Sequence, residues 1–459
     1  MRTTTMSGSR SVRHLVVITA ACFGPCVLGP VLVSAQPRLV MISLDGLHPD
    51  YIKRAEQLGV RLPALGALVR EGTFASVRGV FPTVTYPSHA TMVTGVSPAR
   101  HGITFNTTFD PLDRNGGGWF WYTSDLKVPA LWDVAKRRKL KTANVHWPVT
   151  VGAAIDLNIP QHWNRGTPDD RKLLAALSTP GLLASLEREL GPYADGIDES
   201  MAGDENRARF VIRLLERDKP DVMWAYFTAL DHEQHETAPF SKSALSVLEK
   251  IDGIVGRVVA AARRASGGRA AIVIVSDHGH ALANRELSLG VLFRREGWIK
   301  YANDTSDRPL DWRVSLWNSS GTAGVMLKDA SDSALQRHVG AKLAELAADT
   351  ANGIAKIWTR AEAKSLGGMP DASFVIAMRP PYRVSGVTRG PLLRSVRAGG
   401  SHGFAPDVSA MDAIFIAVGP GVARGRDLGK IDMRDVAPTV AALLGLAMPN
   451  VEGRNVLRR

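Results

Sequence analysis

Apolar residues fall along this chain in two alternating patterns. Short, nearly continuous apolar runs at Arg38–Leu44, Thr142–His146, Asp221–Thr228, Ala270–Ser276 and Ala413–Val418 predict strands. Their lack of a polar alternate face predicts a parallel sheet buried on both sides. Between the runs the period changes. Residues 245–262 place Leu245, Leu248, Ile251, Ile254, Val255, Val258 and Val259 at three- and four-residue steps, one apolar helix face. Residues 204–218 and 432–446 read the same way. Strand, helix and strand in succession predict an α/β fold with a mostly parallel central sheet flanked by helices. From about 286 to 400 the rhythm breaks into scattered Trp, a polar stretch at Tyr301–Asp311 and the Pro-rich Arg379-Pro380-Pro381. This segment reads as an insertion or cap, with the chain rejoining the core near Gly399.

Composition narrows the class. Hydrophobic residues make up 45% of the 459 and charged residues 22%, which excludes wholesale disorder and a multi-span membrane protein. Lys and Arg number 56 against 44 Asp and Glu, a formal net charge of +12. Such an excess favours anionic partners such as nucleotides, phosphoesters or membrane headgroups. It is not gathered into a basic run, so no stable nucleic-acid partner is expected.

The first 35 residues form a leader. Arg2, Arg10 and Arg13 precede an uncharged stretch from Leu15 to Pro37, and Val33-Ser34-Ala35 is a small-residue cleavage pattern. We expect a secretory signal peptide over 1–35 and a secreted or periplasmic mature chain over 36–459. Gly24-Pro25 and Gly29-Pro30 interrupt the apolar stretch and argue against a membrane anchor. Both cysteines, Cys22 and Cys26, lie in the leader, so a zinc ion in the mature chain would depend on His and carboxylate.

Three predicted strands run into carboxylates: Asp45-Gly46, Asp231 with His235 four residues on, and Asp277-His278. C-terminal ends of parallel strands share one sheet edge, where ligands bind. An Asp after a strand is commonly a turn or cap residue. Three of them, two accompanied by His and none by Cys, match the ligand chemistry of a hydrolytic zinc site. A fourth element, Phe81-Pro82-Thr83-Val84-Thr85-Tyr86-Pro87-Ser88-His89, leads into a helical Ala90–Val93. Pro87 suits a first helical turn, which puts Thr85 at or just before the N-terminus. There Thr85 is either a plain N-cap or a nucleophile favoured by the helix dipole, with free N–H groups to receive phosphoryl oxygens.

These segments resemble a known family when taken in order. They are Asp45-Gly46, Pro82-Thr83-Val84-Thr85-Tyr86-Pro87, Thr94-Gly95 through His101-Gly102-Ile103, Asn106, Asp231/His235, Ser276-Asp277-His278-Gly279 and Ser401-His402-Gly403-Phe404. Together they look like the type I phosphodiesterase/nucleotide pyrophosphatase family of the alkaline phosphatase superfamily. The match covers most of 38–286 and 399–458. The resemblance implies an alkaline-phosphatase-like fold and two Zn2+ ions, one held by Asp231, His235 and His402, the other by Asp45, Asp277, His278 and the Thr85 oxygen. Manganese or iron suits the same donors. It further implies that Thr85 forms a phospho-threonine intermediate and that Asn106 donates to the phosphoryl oxygen. Tyr86 stands where the family often has Phe, and is read either as a substrate-stacking aromatic or as a packed helix-entry residue. His232 and His280 read as outer or surface residues, His89 and His101 as structural. Trp147-Pro148 resembles a segment lining the substrate side. The expected activity is phosphodiester hydrolysis of a small phosphoester or nucleotide. A phosphomonoesterase or phosphonate hydrolase on the same scaffold, and a non-catalytic metal-holding envelope protein, are the alternatives. Oligomeric state is not legible.

Overall fold

A computed structural model describes residues 39–164 and 166–458 of the chain. The leader expected over 1–35, with Cys22 and Cys26, and also Arg165, lie outside the described residues. No helix among the described residues is long and apolar enough to cross a membrane.

An eight-stranded sheet organises the unit from Pro37 to Arg459. In chain order its strands are β1 (Leu39–Leu44), β2 (Thr73–Arg78), β3 (Thr142–Val145), β4 (Leu157–Ile159), β5 (Val222–Phe227) and β6 (Ala271–Val275), followed by Ala413–Val418 and Arg426–Asp432. All five predicted strands are present. β1 lies at the centre, parallel to β5 on one side and to β6 on the other, with Ser43 opposite both Tyr226 and Val275. β3 and β4 continue in parallel beyond β5. The strand Ala413–Val418 departs from expectation: it runs antiparallel to both β6 and β2. Its six residues are buried, because layers cover both faces of the sheet whatever the strand direction.

Two apolar layers sandwich the sheet. Side chains alternate along each strand, so Val40, Ile42 and Leu44 enter one core while Leu39 and Met41 enter the other. The first layer includes the helix Lys242–Ser266, whose Leu248, Ile251, Ile254, Val255, Val258 and Val259 form the buried stripe read from the sequence. Helix Met201–Arg217 packs beside it. The second layer includes Val436–Leu443 and the wholly buried helix Thr85–Thr94.

Residues from Ala281 to Ser401 contribute no strand to the eight-stranded sheet. They build a four-stranded antiparallel sheet from Val314–Asn318, Thr322–Leu327, Ile354–Thr359 and Phe374–Met378, with its own apolar cluster. A three-stranded sheet connects this region to the core. In it Ala281–Ser288 pairs antiparallel with Leu393–Ser401, placing Ala281 opposite Ser401 and Leu282 opposite Gly400.

His101 shows how polar groups are accommodated inside. It is fully buried; Ile103 N–H donates to its Nδ1, so Nε2 carries the proton and donates to Thr91 Oγ1. Burial pushes its pKa down to about 3, so it stays neutral when folded. The unfolded chain therefore binds one more proton than the native chain between about pH 6 and 4, and this part of the stability, fully present above 6.5, is lost as pH falls. The expected slope from this residue is about 1.4 kcal/mol per pH unit. Between pH 7 and 5, where the unfolded histidine is only partly protonated at the upper end, His101→Gln should remove about 2 kcal/mol of pH-dependent stability relative to wild type in urea melts; parallel curves would contradict the assignment.

Candidate metal centre

The site grows from the central register. Because β1 and β6 are parallel neighbours, Asp45 and Asp277 leave the sheet side by side. On the other flank β5 ends at Phe227, whose carbonyl accepts from Asp45 N at 3.0 Å. The chain then turns into the helix Ala229–Glu236, which carries Asp231 and His235 at a four-residue interval on one face. Gly46 makes the turn after Asp45 with φ +70°, and a Cβ there would stand 2.8 Å from Gln234 Nε2 and 3.0 Å from His280 Nε2. Only glycine fits that junction.

Three overlapping groups of candidate ligands result: one of Asp45, Asp277 and His278, a second of Asp231, His235 and His280, and a third of Asp231, His278 and His402. Asp45, Asp277 and His278 converge: His278 Nε2 lies 3.6 Å from Asp45 Oδ1 and 3.3 Å from Asp277 Oδ2. Thr85 Oγ1 is 3.5 Å from the same nitrogen. In the second cluster Asp231 Oδ2 lies 3.3 Å from His235 Nε2. His402 joins Asp231 and His278 within ligand range, stacked on His278 with ring centroids 3.9 Å apart and 5.0 Å from His235. The antiparallel pair Ala281–Ser288 and Leu393–Ser401 makes this meeting possible. It begins just after His280 and ends just before His402.

The chemistry of these donors fits divalent cations. Asp45 Oδ1 and Asp277 Oδ2, both buried and both facing His278, have no hydrogen-bond partner. Buried acceptors in that state are costly unless something satisfies them. Burial, reinforced by the charges of Asp231 and Asp277, pushes the Asp45 carboxyl well above the usual range, a strain that a cation would relieve. The outer carboxylate oxygens are fixed instead by the protein. Tyr226 Oη donates to Asp45 Oδ2, while Gly46 N and His278 N donate to Asp277 Oδ1 at 3.1 and 3.0 Å. Such partners orient ligands and tune their basicity.

His280, read from the sequence as an outer or surface residue, takes an outer role beside Asp231. It is buried, and its Nε2 donates to Asp231 Oδ1 at 2.6 Å. Burial pushes it down to about 4, so it acts as a neutral donor and holds Asp231 as Tyr226 holds Asp45. Its position two residues after His278 was the available signal. His232 is exposed and pairs with Glu199, away from the clusters. His89 is buried behind Thr85: Nδ1 donates to Thr85 O at 2.8 Å, leaving Nε2 to accept from Ser43 Oγ at 2.9 Å.

Thr85 is the first residue of the helix Thr85–Thr94, after an extended Val84. Asn106 sits beside it. Tyr86 N–H, which can only donate, meets Asn106 Oδ1 at 2.9 Å, so the amide nitrogen is turned away and engages no described residue. Trp317, from the four-stranded sheet, steadies that turn from both sides. It stacks on Phe105 with centroids 4.4 Å apart and donates from Nε1 to Thr107 O at 3.1 Å. Tyr86 itself is fully buried, its hydroxyl donating to Gln161 Oε1 at 2.9 Å and Trp119 against its ring. The ring thus takes the packed role, since a buried phenol needs its partner, and offers no face for stacking on substrate. Trp147 is likewise fully buried, edge-on to His89.

The sequence model of the type I phosphodiesterase / nucleotide pyrophosphatase family matches residues 39–405. The chain belongs to that family. Among curated proteins it is 25% identical to ectonucleotide pyrophosphatase/phosphodiesterase family member 1 of Homo sapiens over 258 residues, covering 53% of this chain and 23% of that protein. It is 26% identical to the human bis(5'-adenosyl)-triphosphatase ENPP4 over 251 residues, 54% of this chain and 48% of that protein. The aligned stretch thus spans about half or less of the relatives' length. Among solved structures, murine ectonucleotide pyrophosphatase/phosphodiesterase 5 superposes with a TM-score of 0.65 at 18% identity, covering 92% of this chain and 99% of its own. That likeness speaks for the alkaline-phosphatase-like fold.

The clusters make His402 a critical test, because it lies 124 positions beyond His278 and reaches the site only through the paired strands. His402→Ala should bind one divalent ion fewer per chain by elemental analysis while keeping its far-UV circular dichroism. Unchanged metal content would remove His402 from the ligand set.

Proposed function

We propose that this protein is a metal-dependent phosphodiesterase or nucleotide pyrophosphatase using Thr85 as its nucleophile. The observation that carries the reading is the convergence of two partnerless carboxylate oxygens, Asp45 Oδ1 and Asp277 Oδ2, on His278 Nε2, with Thr85 Oγ1 3.5 Å from that nitrogen. Family membership supports it, as do the relatives named for nucleotide pyrophosphatase and bis(5'-adenosyl)-triphosphatase activity. A neighbouring structure is an inactive murine relative in complex with AMP.

In this reading Asp45, Asp277, His278 and Thr85 Oγ1 hold one zinc ion, and Asp231, His235 and His402 hold the other. Bound ions supply Lewis-acid charge beside the attacking oxygen and the phosphoryl group. The protein supplies the rest. Thr85 Oγ attacks phosphorus, the bond to the leaving alcohol or phosphate breaks, and the leaving oxygen takes up a proton. Water then attacks the phospho-threonine, releases the phosphate product and restores the Thr85 hydroxyl. Thr85 starts a buried helix whose dipole favours negative charge there. Asn106, its carbonyl end tied to Tyr86 N, presents its amide nitrogen to a non-bridging oxygen. The leader over 1–35 supports a secreted or periplasmic location.

Diesters are the preferred substrates in this reading. A monoester dianion needs further cationic partners, and neither Gly79–Ala99 nor His101–Asp113 contains Lys or Arg. Trp119, Phe120 and Trp121, partly buried around the Tyr86 cluster, give that side an aromatic wall suited to a second ester group. The test compares kcat/KM for a nitrophenyl nucleotide diester and for nitrophenyl phosphate on one zinc-loaded preparation. The diester should be faster by tenfold or more; a monoester rate equal or higher would favour the phosphomonoesterase alternative. Thr85→Ala should keep its metal and lose several orders of magnitude in kcat, with Thr85→Ser retaining part of the rate. Wild-type turnover in Thr85→Ala would exclude the covalent route.

A further inference from the structure

A fully buried ion pair lies behind the ligand helix. Asp204 and Arg207, three residues apart on the helix Met201–Arg217, have no exposed side-chain surface, and Arg207 Nη1 stands 2.9 Å from Asp204 Oδ1. Burying such a pair is expensive, and exchanging it for apolar residues often leaves stability unchanged or improved. Burial pushes Asp204 up to about 6 even with Arg207 alongside.

The hydrogen bonds indicate what the pair does. The helix Ala229–Glu236 has Thr228 as its N-cap, and the Thr228 side chain caps nothing. Its first N–H groups turn to another helix: Thr228 N and Ala229 N donate to Asp204 Oδ2 at 3.0 and 2.8 Å. A carboxylate there is favoured by the helix dipole and satisfies donors that would otherwise be orphaned. Arg207 locks the arrangement from the far side, donating to Thr228 Oγ1 at 3.4 Å and to the carbonyls of Asp195 and Asp198. Two residues after this clamp comes Asp231, and His235 follows one turn later.

We infer that Asp204 and Arg207 are positioning residues for the cation held by Asp231, His235 and His402: they fix the strand-to-helix turn so that Asp231 and His235 stand ready before the ion arrives. The inference rests on the two-ion reading above. It predicts a selective effect on one of the two ions, which a merely structural pair would not produce.

The experiment measures zinc affinity by competition with a chromogenic chelator, in two backgrounds that each leave one ion site. In Asp277→Asn, where the Asp231 site remains, the double variant Asp204→Leu/Arg207→Met should bind zinc at least tenfold more weakly. In His402→Ala, where the Asp45 site remains, the same double variant should leave affinity within twofold. Zinc-free thermal unfolding should fall by the same amount in both backgrounds, because Thr228 N and Ala229 N lose their acceptor in each. Asp204→Asn, which keeps one carbonyl acceptor for two N–H groups, should show a smaller loss in the same direction. Equal weakening in both backgrounds, or a large drop in melting temperature with unchanged zinc affinity in Asp204→Asn, would make the pair plain scaffold and overturn the inference alone. Backgrounds that fail to lose one zinc each would overturn the two-ion reading, and this inference with it.

Discussion

Three carboxylates, Asp45, Asp231 and Asp277, are buried close enough for the first to feel the charge of both others. Like charges out of water repel strongly, and proteins tolerate the arrangement where cations are to be bound. Much of the surrounding structure can be understood as holding this arrangement in place. Tyr226 donates to Asp45, His280 to Asp231, and two backbone N–H groups to Asp277. Each bond fixes one oxygen of a carboxylate, and for Asp45 and Asp277 the other is left unpartnered toward His278.

The fold supplies the convergence through register. Parallel β1, β5 and β6 end at one edge, so residues over two hundred positions apart in sequence become neighbours. The candidate ligand His402 arrives differently, just past the end of a strand paired back against the segment that leaves His280. The region between them also bears on the Thr85 side, where Trp317 grips both neighbours of Asn106. A rigid ligand cage and a steadied amide are what a site needs if its groups must be in place before substrate binds.

The sheet was legible where strands are apolar throughout, as in β1, β5, β6 and Ala413–Val418. It was illegible in β2, whose Thr73, Ser76 and Arg78 dilute the pattern, in the three-residue β4, and in the polar Arg426–Asp432. The antiparallel direction of Ala413–Val418 was invisible because burial on two faces looks the same in either direction. Asp45, Asp231 and Asp277 stood out by their place after apolar runs, whereas His402 entered through family resemblance. Tyr226 was hidden inside a strand, where a tyrosine reads as core, whereas the outer role of His280 was legible from its place two residues after His278. Asp204 and Arg207 lie on a helix face whose charges look solvent-exposed until the tertiary structure buries them. Outer-layer residues carry little periodic signal, since what defines them is a partner distant in sequence.

The central claim is that two separate ligand sets converge on adjacent ions. Anomalous diffraction at the zinc absorption edge, from crystals of the zinc-loaded protein, addresses it directly. The account predicts two peaks about 4 Å apart, one among Asp45, Asp277, His278 and Thr85 and the other among Asp231, His235 and His402, with His280 bonded to Asp231 and to no metal. A single peak, or one ligated by His280 in place of His402, would contradict it.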